Sequence, residues 1–188
     1  MNNGIVGMVS GGHIDLLNPQ PEQFTELDIA YGLCRESRYG GQVLNDAALM
    51  YSVCQHSVYG CWRALAVTEN DPVAGLVLLL HDASEGVGMK DLPSPFKVIM
   101  PEYKAIEAKV MDAVWRKFNI NISDYEELLH RVDREILNME LFTFRGIGEG
   151  PGLEHFPEHI IWTTKQSFDF FNLMLAVLTG ERKLRDAA

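Results

Sequence analysis

The stretch Asp71-Pro72-Val73-Ala74-Gly75-Leu76-Val77-Leu78-Leu79-Leu80-His81-Asp82-Ala83-Ser84-Glu85 decides how the chain folds. Val73 to Leu80 is the most apolar run in the sequence. Asp71 ahead of Pro72 reads as an N-cap with proline in the first helical position, which predicts a short buried helix from Asp71 to Asp82. A histidine and an aspartate then stand side by side at the mouth of that buried segment, where both cost free energy unless something pairs with them. A metal ion would do so. Adjacent helical residues do not face each other, but at a frayed C-terminal end both can turn toward one ion. Taken alone, such a pair is more often the polar turn that ends a capped core helix. The reason to prefer a metal comes from the rest of the chain.

With 188 residues, 47% of them hydrophobic, the sequence suits one globular domain with a substantial core. The 16 basic and 26 acidic residues give a formal charge of -10, which repels extended nucleic acid at long range. A small phosphate compound is not excluded, because a few local cations and a metal outweigh a distant field. Met1 to Ala30 has no basic region followed by an apolar stretch, and the longest apolar run is far short of a bilayer span. The expectation is a cytoplasmic protein (the host cytoplasm if phage-encoded) without a membrane partner. Cys34, Cys54 and Cys61 form neither a CxxC pair nor a disulfide framework and read as reduced core residues.

Upstream of the apolar run, the glycines at 4, 7, 11 and 12 break short apolar pieces and predict a small hairpin between Gly4 and Asn18, with His13 on its surface. Thr25 with Asp28 three residues on opens a helix through about Ser37, which Arg38-Tyr39-Gly40-Gly41 ends. That arginine and aromatic are either surface punctuation or a phosphate clamp beside a stacking ring. Ser52-x-x-Gln55 fits a capping box for a buried helix from Val53 to about Thr68. His56 falls in its first turn, where the helix dipole favours a neutral ring available to a metal.

Downstream, Gly86 to Lys97 reads as a loop whose Lys90, Asp91 and Lys97 lie beside rigid prolines, and Glu102 to about Phe118 reads as a helix. Ser123-x-x-Glu126 reads as a capping box for a further helix to about Phe144. Asp133 is its anomaly. Leu129, Ile136 and Leu137 surround it at helical spacing, so the carboxylate points from the apolar face and needs a cation: a metal, Arg131 or Arg134. His155 and His159 bracket Pro157 without a third ligand and read as structural. A helix from Thr163 to about Thr179, rich in Phe, Leu and Met, closes the chain as core or oligomer contact.

His56, His81-Asp82 and Asp133 thus lie in that order on or at the ends of predicted helices. The H...HD...D pattern resembles that of the HD-domain metal-dependent phosphohydrolases, and most closely the bacterial 5'-deoxynucleotidases and phage dATP triphosphohydrolases. The resemblance runs from about Asp28 to Met139. It is carried by Arg38-Tyr39, Ser52-Val-Cys-Gln-His56-Ser57, His81-Asp-Ala-Ser-Glu85, Asp91-Leu-Pro-Ser-Pro-Phe-Lys97 and Tyr103-Lys-Ala-Ile-Glu107. It implies an all-α helical bundle with a core over about 25–145, and a divalent metal held by His56, His81, Asp82 and Asp133. Cobalt, manganese or zinc suits those ligands, with magnesium on a triphosphate. It further implies Glu85 and Asp91 as catalytic groups and Arg38, Tyr39, Lys97 and Lys90 as substrate contacts. The partner it implies is a small deoxynucleotide, on a homo-oligomer. Two departures are visible: Tyr39 stands where many relatives carry tryptophan, and the connection from Glu85 to Asp91 is one residue longer. The activity implied first is hydrolysis of a dATP-type substrate to deoxynucleoside and triphosphate. Hydrolysis of deoxynucleoside monophosphates comes second, and a noncatalytic nucleotide-binding role third.

Overall fold

The computed structural model describes residues 4–43, 49–148 and 160–180, and these form an all-α fold with a small N-terminal hairpin. The apolar run is helix α3 (Pro72–Leu80), and its cap forms as the sequence implies: the Asp71 side chain accepts from the Val73 and Ala74 amides. Such a cap contributes about 1 kcal/mol. Ala74 to Leu80 are all buried, so beyond its exposed first two residues α3 has no solvent face and needs cover from several sides. α2 (Val53–Val67) lies along it, and α7 (Glu126–Arg145) and α8 (Thr164–Leu178) pack against both. Among the described residues no helix is long and apolar enough to cross a membrane.

The hairpin pairs β1 (Ile5–Gly7) with β2 (His13–Asp15), placing Val6 opposite Ile14. Ile14 is buried and His13 exposed. One carboxylate ties the hairpin to α1 (Glu26–Leu33): Asp28 accepts from the Ser10 amide at 2.9 Å and from Thr25 N at 2.8 Å, closing the Thr25 capping box. Burial alone would raise the Asp28 pKa, but hydrogen bonds from Thr25 and Ser10 outweigh it and hold the carboxyl below its ordinary value. α1 ends at Leu33, short of the expected Ser37, and turns toward a 3-10 segment at Arg38–Gly41.

The two serine-based boxes differ from expectation. Ser52 does cap α2, accepting from the Gln55 amide, but Gln55 does not reach back. Its carboxamide donates to the Ile160 carbonyl at 2.8 Å and accepts from the Trp162 amide at 3.0 Å, fixing residues 160–162 against α2. Trp162 then joins Tyr59, Trp62 and Phe170 in a ring cluster under α8. Ser123 caps nothing: it lies in a 3-10 turn (Ile122–Asp124) and donates to the Asn121 side chain, while Tyr125 stands at the N-cap of α7. A short helix, α4 (Ala83–Gly86), ends where the expected Gly86-to-Lys97 loop begins, and that stretch runs into a second short helix, α5 (Ser94–Ile99), before α6 (Pro101–Lys117). The three cysteines are free and buried. His155 and His159 lie outside the described residues.

Backbone contact sets the position of α4. A Cβ on Gly32 of α1 would land on the Gly86 carbonyl, and one on Gly86 would meet the Ile29 carbonyl at 2.6 Å. The two segments therefore touch main chain to main chain, which only glycine permits. That contact fixes Glu85 beside the C-terminal end of α3.

Candidate metal centre

His81 occupies the C-cap of α3, and its Nδ1 donates to the Leu78 carbonyl at 2.8 Å. The bond leaves the Nε2 lone pair facing outward. His56, in the first turn of α2 and fully buried, mirrors it: Nδ1 donates to Glu140 Oε1 at 2.5 Å, and Nε2 stands 3.1 Å from His81 Nε2. Asp133 Oδ1 lies 3.2 Å from His56 Nε2 and 3.6 Å from His81 Nε2. His56, His81 and Asp133 form a group that could hold a metal ion, each offering one ligand atom within 4.8 Å of the others. Asp82 Oδ2 stands beside them, 3.4 Å from His81 Nε2 and 3.8 Å from His56 Nε2. Ligands about 2.1 Å from one tetrahedral ion are roughly 3.4 Å apart, so the separations among His56, His81 and Asp133 match a common coordination sphere, with Asp82 at its edge.

The donor set also fits such an ion chemically. Two imidazoles and the Asp133 carboxylate converge, Asp82 stands beside them, and the structure directs both other ring nitrogens to oxygen acceptors, as is almost always so for metal-binding histidines. Without an ion, protons take its place. Burial and Arg38 lower the His56 pKa, but Glu140 and Asp133 outweigh them and push it up to about 10. Burial lowers that of His81 too, and Asp82 and Asp133 raise it above its ordinary value. Burial tends to raise Asp133, yet hydrogen bonds to the two imidazoles hold it well below the usual carboxylate range. The Asp133 side chain is 40% exposed, so it lies at the mouth of the cluster and not in the core, and its cationic neighbours are the imidazoles rather than the exposed Arg131 or Arg134.

Glu140 is the residue that sequence reading missed. It is wholly buried on α7, two turns beyond Asp133, and gathers His56, Tyr51 OH at 2.7 Å, Tyr39 OH at 2.6 Å and Arg38 Nε at 3.3 Å around one carboxylate. Burial would raise its pKa, but Arg38 and His56 bring it down to about 2. The available signal was its position four residues after Ile136 on the same apolar face.

Arg38 and Tyr39 reach the site through the chain crossing at Ser37 and Ser52, where the Arg38 amide donates to the Tyr51 carbonyl. Arg38 also contacts Asp82 Oδ2 at 3.4 Å. Tyr39 has φ 57°, in the left-handed region, at a cost of about 1–2 kcal/mol. Its amide donates to Asp91 Oδ2 at 3.2 Å, which with the Glu140 bond holds it there. Lys97 bridges Glu85 at 3.3 Å and Glu107 at 2.7 Å. Arg38, Tyr39, Glu85, Asp91 and Lys97 line a cavity of about 310 Å³ together with Asp82, Asp133 and Arg145. Lys90 is not brought to it: its ammonium lies 2.6 Å from Glu36 and is largely exposed. Burial, with Asp82 and Asp91 adding, pushes Glu85 up to about 9, and its Oε2 is buried without a hydrogen-bond partner among the described residues. Burial likewise raises Asp91.

No family model matches the chain. An uncharacterized protein of Rhodobacter capsulatus is 34% identical over 117 residues, covering 60% of this chain and 57% of that protein. The uncharacterized protein YfdR of Escherichia coli is 34% identical over 90 residues, covering 48% and 44% respectively. The chain spans about half the length of the curated relatives it matches.

Proposed function

We propose that the protein is an HD-domain phosphohydrolase that cleaves 2'-deoxynucleotides, with a deoxynucleoside triphosphate of the dATP type as the first candidate substrate. The observation that carries this reading is the approach of His56 Nε2 and His81 Nε2 to the Asp133 and Asp82 carboxylates within 4 Å, beside a cavity lined by Glu85, a carboxyl that burial pushes up to about 9. A divalent ion held by these four residues would sharpen the nucleophilicity of water and offset charge on phosphoryl oxygens.

The chain's own groups supply the rest. Water attacks the phosphorus nearest the sugar and loses a proton, the bond from that phosphorus to the 5' oxygen breaks, and the 5' oxygen takes up a proton. Glu85, raised to about 9, carries a proton at neutral pH and suits delivery to the leaving oxygen. Asp91 positions the Arg38-Tyr39 turn through the Tyr39 amide. Arg38 and Tyr39 line the cavity, and on this reading the guanidinium would meet phosphate and the Tyr39 ring the deoxyribose. Attack at the inner phosphorus releases the tail whole, because the reacting centre is fixed relative to the 5' oxygen.

Monophosphate hydrolysis is the second reading. It is favoured by the engagement of Arg38 and Lys97 with carboxylates and by the withdrawal of Lys90 to Glu36, which leave less positive charge for a long tail than the sequence implies. A screen of cobalt- or manganese-loaded protein against dATP, dGTP, dAMP and ATP, with products separated, tests the reading. Intact triphosphate from dATP supports the first candidate, and turnover of dAMP alone supports the second. Absence of turnover with every nucleotide, by protein shown to hold metal, refutes both and leaves a binding role. Equal rates on ATP and dATP remove the sugar contact assigned to Tyr39.

A further inference from the structure

Among the described residues three cations line the cavity beside the candidate metal cluster: Arg38, Lys97 and Arg145. Two of them are already matched by acids. Arg38 faces Glu140 and Asp82, and Lys97 faces Glu85 and Glu107. Arg145 differs. Among the described residues its side chain makes no ion pair and no hydrogen bond, and its contact is with the Tyr39 ring, whose centroid lies 5.6 Å from the guanidinium carbon. An exposed arginine that stacks on a ring while its donors face a cavity keeps its charge and fork geometry available to a ligand.

Its place along α7 says which part of a ligand it could meet. Arg145 is in the last turn, roughly three turns or about 18 Å of rise beyond Asp133. Helical side chains lean back toward the N-terminus, so the guanidinium returns toward the cavity and over Tyr39 without reaching the cluster. The helix ends at Gly146 in the left-handed conformation, which stops α7 with Arg145 at the cavity rim. A group bound by the cluster would therefore lie at one end of the cavity and Arg145 at the other.

We propose that Arg145 selects for the length of the phosphate tail, its guanidinium taking the distal phosphates of a substrate whose reacting phosphorus lies at the His56, His81 and Asp133 group. The assignment rests on the proposed phosphohydrolase reading and supplies the tail contact that Lys90 does not provide.

The test uses full-length, metal-loaded protein and the variants Arg145→Gln and Arg145→Lys, with two readouts. The first is kcat/KM on dATP and on dAMP. Arg145→Gln is expected to lose about tenfold to a hundredfold on dATP, the range for one lost charge-assisted contact, and to leave dAMP unchanged. Arg145→Lys recovers part of the loss, since it keeps the charge without the fork. The second readout is calorimetric binding of inorganic tripolyphosphate against orthophosphate, which requires no turnover. Tripolyphosphate binding weakens in Arg145→Gln, and orthophosphate binding does not. Equal loss on dATP and dAMP, or unaltered tripolyphosphate binding, overturns the assignment, as does failure of the unsubstituted protein to bind tripolyphosphate. If the unsubstituted protein hydrolyses no nucleotide, the phosphohydrolase reading fails and the tripolyphosphate comparison still decides the role of Arg145.

Discussion

Glu140→Gln keeps the shape of the side chain and removes the charge that organises the site. The carboxylate accepts from Tyr51 and His56 on one oxygen and from Tyr39 on the other, with Arg38 beside the second. A glutamine retains the oxygen toward His56 and Tyr51, and its amide can donate to Tyr39 if that hydroxyl turns. It then places N–H groups against Arg38, and His56 faces a neutral acceptor. Leaving a buried charge without its partner costs about 3–5 kcal/mol. Arg38 keeps Asp82 at 3.4 Å, so roughly half of that loss is expected, about 2 kcal/mol. At roughly 2–4 °C per kcal/mol for a chain of this size, the melting temperature should fall by about 4–8 °C. The more diagnostic effect is on metal. Losing the group that orients a ligating histidine typically lowers metal affinity about tenfold to a hundredfold. Calorimetric titration of chelator-stripped protein with cobalt or manganese measures it, and Tyr51→Phe, which removes one hydrogen bond and no charge, serves as the control. Metal affinity in Glu140→Gln equal to that of the unsubstituted protein would refute the role given to Glu140.

Three further outcomes are expected. Glu85→Gln should stabilise the fold: the folded pKa near 9 exceeds the ordinary 4.5, so ionisation of Glu85 penalises the folded state increasingly as pH rises from 4.5 to 9. Its gain in melting temperature should be absent near pH 4.5 and largest near pH 9, and a gain that shrank with rising pH would contradict the assigned burial. Gly32→Ala should cost about 1–3 kcal/mol by forcing α1 and α4 apart, and should slow turnover more than it weakens metal binding, because the displaced group is Glu85; an unchanged melting temperature would refute the main-chain contact. Chelation should destabilise the protein more at high pH than at low. With the His56 pKa raised from 6.5 to about 10, its proton stabilises the metal-free fold fully below pH 6.5, and that contribution is lost as pH approaches 10. The difference in melting temperature between metal-loaded and chelated protein should therefore widen across that window, and a constant difference would count against imidazoles at the cluster.

The helical framework is legible where one local interaction decides it. Asp71-Pro72 and Thr25 with Asp28 form the caps their spacing implies, and the glycine-punctuated N-terminus is a hairpin. His56, His81 and Asp133 could be anticipated as a group because each carries a polar atom at a position that local periodicity buries or abuts on the core. The rest depends on partners distant in sequence. Gln55 abandons its own helix end because Ile160 and Trp162 offer better hydrogen bonds, and Ser123 does not cap α7 because a 3-10 turn intervenes. Ser94–Ile99 is hidden among prolines that look like loop punctuation, although a proline in the first turn of a helix is compatible with it. Glu140 looks like an ordinary helical glutamate until Tyr39, Tyr51 and His56 are folded around it.

The most direct test of the account is turnover of dATP by metal-loaded protein in water enriched in oxygen-18, with mass analysis of both products. Attack of water on the inner phosphorus predicts deoxyadenosine without label and intact triphosphate carrying a single labelled oxygen. Label in the deoxyadenosine, or release of dAMP, diphosphate or orthophosphate in place of triphosphate, would contradict it.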